Sequence, residues 1–233
     1  MKNILITGAT SGIGLETARL LCDTDKVYAV GRDTSKPGAV SDNYIPVSFD
    51  LSKTERLPEL YDTLKKAGMS CPDVIIFSAG VASYGLHESV PDKEISAMTR
   101  TNLESPMLMS GRYLPGMKQR GSGHIIFISS VTANEASPHA AAYGATKAAL
   151  SAFSESLFQE SRKHGIRITC IEPDLTGTAL YRNADFSPDP DACLLPEQIA
   201  KAVKYIIDSP PGTDVTSITI RPQYNRIIKK QGG

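Results

Sequence analysis

Short, continuously apolar runs alternate along this chain with longer stretches whose apolar residues recur at helical spacing. Runs at 4–7, 27–30, 44–49, 73–78, 123–129, 166–172 and 217–221 predict strands. In the fourth run Val74, Ile75, Ile76 and Phe77 are apolar at every position. The intervening segments 13–22, 54–67, 102–119, 142–164 and 196–208 predict helices, and the fourth of these ends at Gly165. Strands that are apolar on both faces need cover on both faces, which a parallel sheet with crossover helices supplies. Right-handed crossovers then predict an α/β fold with a doubly wound parallel sheet of about seven strands.

The stretch 178–196 has the weakest periodicity and reads as a long loop whose Leu180, Tyr181, Phe186, Leu194 and Leu195 give it an apolar side. A loop of this length in an otherwise regular chain is expected to carry function, here as a lid that orders on binding. With no repeat and no low-complexity linker, the 233 residues are expected to form a single domain over 1–233. Lys plus Arg number 25 against 25 Asp plus Glu, so the formal charge is zero and no broad nucleic-acid grip is expected. Four scattered cysteines without a CxxC pair, four histidines without metal-like spacing, and an opening that lacks a signal-peptide pattern point to a cytoplasmic protein with no metal. No apolar run has the length of a membrane helix.

Candidate chemistry begins where the first strand ends, at Thr7-Gly8-Ala9-Thr10-Ser11-Gly12-Ile13-Gly14. Gly8 permits a tight turn, Gly12 leaves space for a diphosphate, and Gly14 lets the helix approach the sheet. Helix N-terminal amides attract phosphate, so the turn reads as a dinucleotide site in a Rossmann-like unit. A glycine turn alone would also serve as a plain structural turn. The second strand closes on Val30-Gly31-Arg32-Asp33. A guanidinium pairs with a 2′-phosphate where a carboxylate would repel it, so Arg32 points to NADP(H), with Ser11 as an added donor. Asp33, if turned inward, would restore NAD(H). Asp50 could accept from an adenine amino group or cap a turn.

Tyr143 and Lys147 are four residues apart and share a helix face. An ammonium beside a phenol favours the phenolate, which suits acid/base chemistry. Thirteen residues upstream, Ser130 follows an apolar strand at its carboxyl end, where its hydroxyl could serve a carbonyl oxygen. Strand alternation turns its neighbour Ser129 the other way.

Taken together, the chain resembles the short-chain dehydrogenase/reductase family, of the short single-domain type, over nearly its whole length. Gly8, Thr10, Ser11, Gly12, Ile13 and Gly14 fall in its TGxxxGxG turn, and Asp50-Leu51 matches its adenine-contacting pair. Asn102, Ser130, Tyr143 and Lys147 match its catalytic set. The resemblance implies that Ser78, Ala79, Gly80, Pro173, Thr176 and Thr178 also line the cofactor, and that Asn102 helps hold a water relaying protons to Lys147. It further implies hydride exchange with a small or medium carbonyl or alcohol, Tyr143 as acid/base, and a homodimer or homotetramer. Two departures stand out: Ser78 replaces an Asn, and Asp174 replaces the Gly of a Pro-Gly turn. Asp174 is expected either to face solvent or to meet a polar or cationic substrate group. The alternatives are a 3-oxoacyl-carrier-protein reductase, with Arg100, Arg112, Lys118 and Arg120 as a diffuse docking surface, and a catalytically silent NADP(H)-binding regulator.

Overall fold

The computed structural model describes residues 1–35, 37 and 40–230, so residues 36, 38, 39 and 231–233 of the expected 1–233 domain lie outside the described residues. Nine strands occur among these residues: β1 (Asn3–Thr7), β2 (Lys26–Gly31), β3 (Tyr44–Ser48), β4 (Val74–Phe77), β5 (Gly123–Ile128), β6 (Ile166–Pro173), β7 (Phe186–Pro188), β8 (Ser217–Ile220) and β9 (Ile227–Lys229). The α-helices are α1 (Gly12–Leu21), α2 (Leu57–Lys66), α3 (Asp92–Thr99), α4 (Ser105–Arg120), α5 (Ala141–Ser161) and α6 (Pro196–Ile207). Seven strands form one parallel sheet in the order β3-β2-β1-β4-β5-β6-β8. The order reverses between β1 and β4, which opens a crevice at the carboxyl ends of those strands. No helix among the described residues is long and apolar enough to cross a membrane.

Period-two alternation divides the core between the two faces of the sheet. Leu5, Tyr28, Ile75, Phe77, Ile125 and Phe127 pack with α2, α4 and α5. Ile4, Ile6, Val27, Ile76 and Ile126 face the other way, where they pack with α1 and α6. Burial on both faces is why these strands read as continuous apolar runs.

Three expectations change. The helix expected at 102–119 is preceded by α3, and a π-helical turn at Arg100–Glu104 joins α3 to α4. The helix α3 escaped the periodicity because Met98 is its only fully buried residue. The helix expected at 142–164 ends as α5 at Ser161 and continues as a 3₁₀ turn, Arg162–His164, which Gly165 closes with φ of 74°. Lastly, the stretch 178–196 is not irregular throughout. It contains a 3₁₀ turn at Ala179–Tyr181 and the strand β7, which pairs antiparallel with β9 near the end of the chain. Three-residue strands separated by some 40 positions leave no local pattern to read.

Candidate active site

A cavity of about 550 Å³ runs along the carboxyl ends of the strands, within the range of small-molecule sites. Its first wall is mostly backbone. A Cβ on Gly8 would lie 2.7 Å from the Ala79 main chain, and one on Gly14 would lie 2.4 Å from the Gly8 carbonyl oxygen. Gly8 also has φ of 70°, a left-handed conformation that other residues avoid. The turn is braced by Tyr44, whose hydroxyl donates to Ala9 O at 3.1 Å. No side chain caps α1, so its N-terminal amides are left to whatever enters the cavity. The cradle therefore fits a diphosphate. A Cβ on Gly12 would come 3.3 Å from a Thr178 methyl, which sets this turn against the segment after β6.

Gly14 is not itself on the cavity surface, but Thr10, Ser11, Ile13, Arg32, Asp50, Leu51, Ser78, Ala79, Gly80, Pro173, Thr176 and Thr178, the other residues expected around a cofactor, line it. Arg32 is exposed at the rim, and among the described residues no hydrogen bond or ion pair holds its guanidinium. Asp33 instead receives Ser35 N and Ser35 Oγ, a turn contact rather than an inward one. Asp50 likewise accepts from Ser52 N and Oγ, so it caps its turn while lining the cavity. Leu51 is largely a core residue. The shorter Ser78 does not loosen its segment, because Ala79 N donates to Thr7 Oγ1 at 3.2 Å and ties it to β1.

Ser130, Tyr143 and Lys147 come together on the cavity, supplied by the end of β5 and by α5. Thr132 donates to Ser130 Oγ from its amide at 3.2 Å and its hydroxyl at 3.0 Å. Both lone pairs of Ser130 are thereby occupied, which leaves its proton to donate; Thr132 was not anticipated from sequence. Ser129 faces α5, donating to Lys147 O at 3.0 Å. The Lys147 ammonium donates to Ile128 O at 2.7 Å.

The electrostatics differ from the simple phenol–ammonium picture. Burial raises the Tyr143 pKa, with the Tyr181 phenol adding to it and a Ser130 hydrogen bond opposing it. Lys147 stands 5.7 Å from the centre of the Tyr143 ring. Its own pKa is lowered by burial to about 8. Desolvation outweighs pairing because both groups are nearly sealed from solvent, at 5% and 4% exposure. Asn102, 1% exposed, receives Val81 N on Oδ1 and donates from Nδ2 to Val81 O and Thr146 Oγ1. Its amide clamps the segment after Gly80 to α5, with one Oδ1 lone pair left over.

The opposite wall, at 178–183, carries Tyr181, which belongs to an aromatic cluster. Tyr181 stacks on Tyr84 at 5.6 Å, and Tyr84 lies 6.2 Å from Tyr143 and 5.6 Å from Phe186. Tyr84 was not singled out from sequence, because a lone tyrosine in a polar loop carries no spacing signal. Asp174 turns neither to open solvent nor into the cavity alone. It receives Leu175 N at 2.7 Å, Arg221 at 3.3 Å and Asn225 at 3.4 Å. The basic residues of the proposed docking surface are dispersed: Arg100 meets Glu55, Arg112 covers the Tyr61 ring, and Arg120 meets Asp73 and Pro72 O.

A doubly wound sheet whose glycine turn opens on its switch point defines a nucleotide-binding α/β protein, and the Ser130, Tyr143 and Lys147 cluster adds acid/base groups to it. Residues 2–187 match the family of short chain dehydrogenases. An oxidoreductase of Staphylococcus aureus is 32% identical over 230 residues, covering 95% of this chain and 97% of that protein. One from Staphylococcus saprophyticus is 31% identical over 234 residues, with the same coverage. Among solved structures, the closed form of serine dehydrogenase complexed with NADP+ superposes with a TM-score of 0.84 at 25% identity, covering 94% of each chain. A 4-hydroxyisoleucine dehydrogenase complexed with NADH gives 0.82 at 26% identity, covering 94% of this chain and 96% of that one. The chain belongs to the short-chain dehydrogenase family and is an oxidoreductase.

Proposed function

We propose that this chain interconverts a carbonyl and a secondary alcohol of a small or medium substrate with NADP(H), acting as one domain whose substrate segment is 178–196. The observation that carries the reading is Ser130, with both lone pairs engaged by Thr132 so that its hydroxyl can only donate, and with that donor directed at the Tyr143 phenol on one cavity. The α1 amides and the Gly8–Gly14 turn would hold the cofactor diphosphate, Arg32 its 2′-phosphate, Asp50 and Leu51 its adenine, and Thr176 and Thr178 its amide end. The bound nicotinamide supplies or accepts a hydride.

Ser130 donates to the substrate oxygen and stabilises charge growing there. Tyr143, held protonated by burial, gives its proton to that oxygen in reduction and takes it back in oxidation. Lys147 is anchored to Ile128 O and brings an ammonium to the same corner, where ribose hydroxyls would accept from it. Asn102 holds the Val81 segment against α5 and so keeps Gly80 and Lys147 in register.

Oxidation of NADPH and NADH, followed over ketones, aldehydes and hydroxy or amino acids, tests the reading. The last group is included because the serine and 4-hydroxyisoleucine dehydrogenases are similar in structure. Tyr143→Phe is expected to lose about 10³-fold in kcat while keeping NADPH affinity within about 2-fold. A Tyr143→Phe enzyme with full turnover overturns the assignment. Tight NADPH binding with no turnover by the wild type would favour a silent regulator.

A further inference from the structure

Residues 226–230 grip the segment that walls the cavity opposite Tyr143. Lys230 spends all three ammonium protons on that segment, donating to Tyr181 O at 3.0 Å, Arg182 O at 3.0 Å and Ala184 O at 2.8 Å. Its amide donates to Asp185 O at 2.7 Å. Immediately before it, β9 pairs with β7 in the register Phe186↔Lys229, Ser187↔Ile228 and Pro188↔Ile227. Arg226 pairs with Asp189, and the two residues also join main chain to main chain.

A surface lysine ordinarily leaves its ammonium in water, where it keeps full rotamer freedom. Here the charge closes on carbonyls at and just past the end of the 3₁₀ turn Ala179–Tyr181, where Tyr181 O also accepts from Ala184 N. The turn carries Tyr181, which lines the cavity and stacks on Tyr84. The carbonyls that Lys230 holds begin at Tyr181, three residues past Thr178, the neighbour of Gly12.

We propose that Lys230 is a positioning residue for the substrate: by holding the 181–185 main chain it fixes Tyr181 against Tyr84 and sets the width of the cavity facing Tyr143. The inference rests on the reading of Tyr143 as the proton donor. It places the control of substrate fit in the chain's tail, separate from cofactor affinity.

The test compares wild type, Lys230→Met and Lys230→Arg as full-length chains. Trypsin cutting of the Arg182–Asn183 bond, followed by mass spectrometry without cofactor, reads how often the segment opens. Lys230→Met is expected to be cut there about 10-fold faster, and to raise KM for the carbonyl substrate about 5-fold or more. Its kcat and NADPH affinity are expected to stay within about 2-fold, and Lys230→Arg to restore most of the KM. Equal cutting in Lys230→Met and wild type overturns the strap. Faster cutting with unchanged KM overturns its link to substrate, as does a parallel fall of kcat and NADPH affinity, which would mark a general folding defect. A wild type inert on every carbonyl sinks the reading of Tyr143 and the KM claim with it, whereas equal cutting sinks the strap alone.

Discussion

The cavity has two walls built by different means. The wall formed by β1, β2 and β4 is made of main chain: glycines pressed against neighbouring backbone, an uncapped helix start, and strand ends. The wall formed by 178–183 rests on side chains: its Tyr181 packs with Tyr84 and Phe186, and the segment is tied by Lys230, Arg226 and the β7–β9 pair to residues 226–230. A main-chain wall tolerates almost no change, since a clash there meets atoms that cannot rotate away. A wall of aromatic rings and surface ion pairs can be retuned without dismantling the fold. One wall suits a constant ligand and the other suits a variable one.

The sharpest way to break this contrast is at Gly8. Its Cβ would lie 2.7 Å from Ala79 backbone atoms at a φ of 70°, so Gly8→Ala is expected to cost about 3 kcal/mol or more and NADPH affinity at least about 100-fold. Isothermal titration and urea unfolding check this, and near-normal values would mean the first wall can yield.

At the seam between the walls, Lys147 is held near pKa 8 against an ordinary 10.5. Between those values the unfolded chain binds more protons than the folded protein. The cost of burying this ammonium is thus full below about pH 8 and fades as pH rises to about 10.5. Relative to Lys147→Met, the wild type is expected to gain up to about 3 kcal/mol over that window in urea unfolding. A stability gap that stays constant with pH would show Lys147 to be better solvated than its 4% exposure implies.

Arg32 sits at the rim of the main-chain wall and is an adjustable part of it. Arg32→Ala is expected to weaken NADPH binding about 10- to 100-fold and leave NADH within about 2-fold, read by fluorescence titration. Equal weakening of both would remove the case for 2′-phosphate selection.

The smallest effect is expected where the second wall meets the tail. Asp174→Asn weakens a partly exposed pair with Arg221, which also pairs with Glu135. A loss of about 1 kcal/mol, or some 2–4 °C in Tm, is expected, with no change in the preference for amine-bearing over neutral substrates. A selective loss on amine-bearing substrates would return Asp174 to the substrate site.

Legibility followed the same division. The glycine turn, Arg32, Ser130, Tyr143 and Lys147 were all readable because each lies at a set distance from an apolar strand or on one helix face. The helix α3 was not, since it buries only Met98 fully and so imposes little pattern on its sequence. Thr132 and Tyr84 escaped because hydroxyl and ring contacts leave no periodicity. The direction of the Tyr143 shift was misjudged because residue spacing reports proximity to a charge and says nothing about the solvent lost.

By itself the sequence determined the sheet, its flanking helices and the glycine turn, because strand burial on two faces and the need for glycine in a crowded turn are local demands that each residue must meet. Only the tertiary structure decided that the second wall is latched by the chain's tail, that Asp174 faces Arg221 and Asn225, and that burial governs Tyr143 and Lys147. Those outcomes depend on residues some 45 or more positions apart and on the water excluded between packed elements, and neither is recorded in any one stretch of chain.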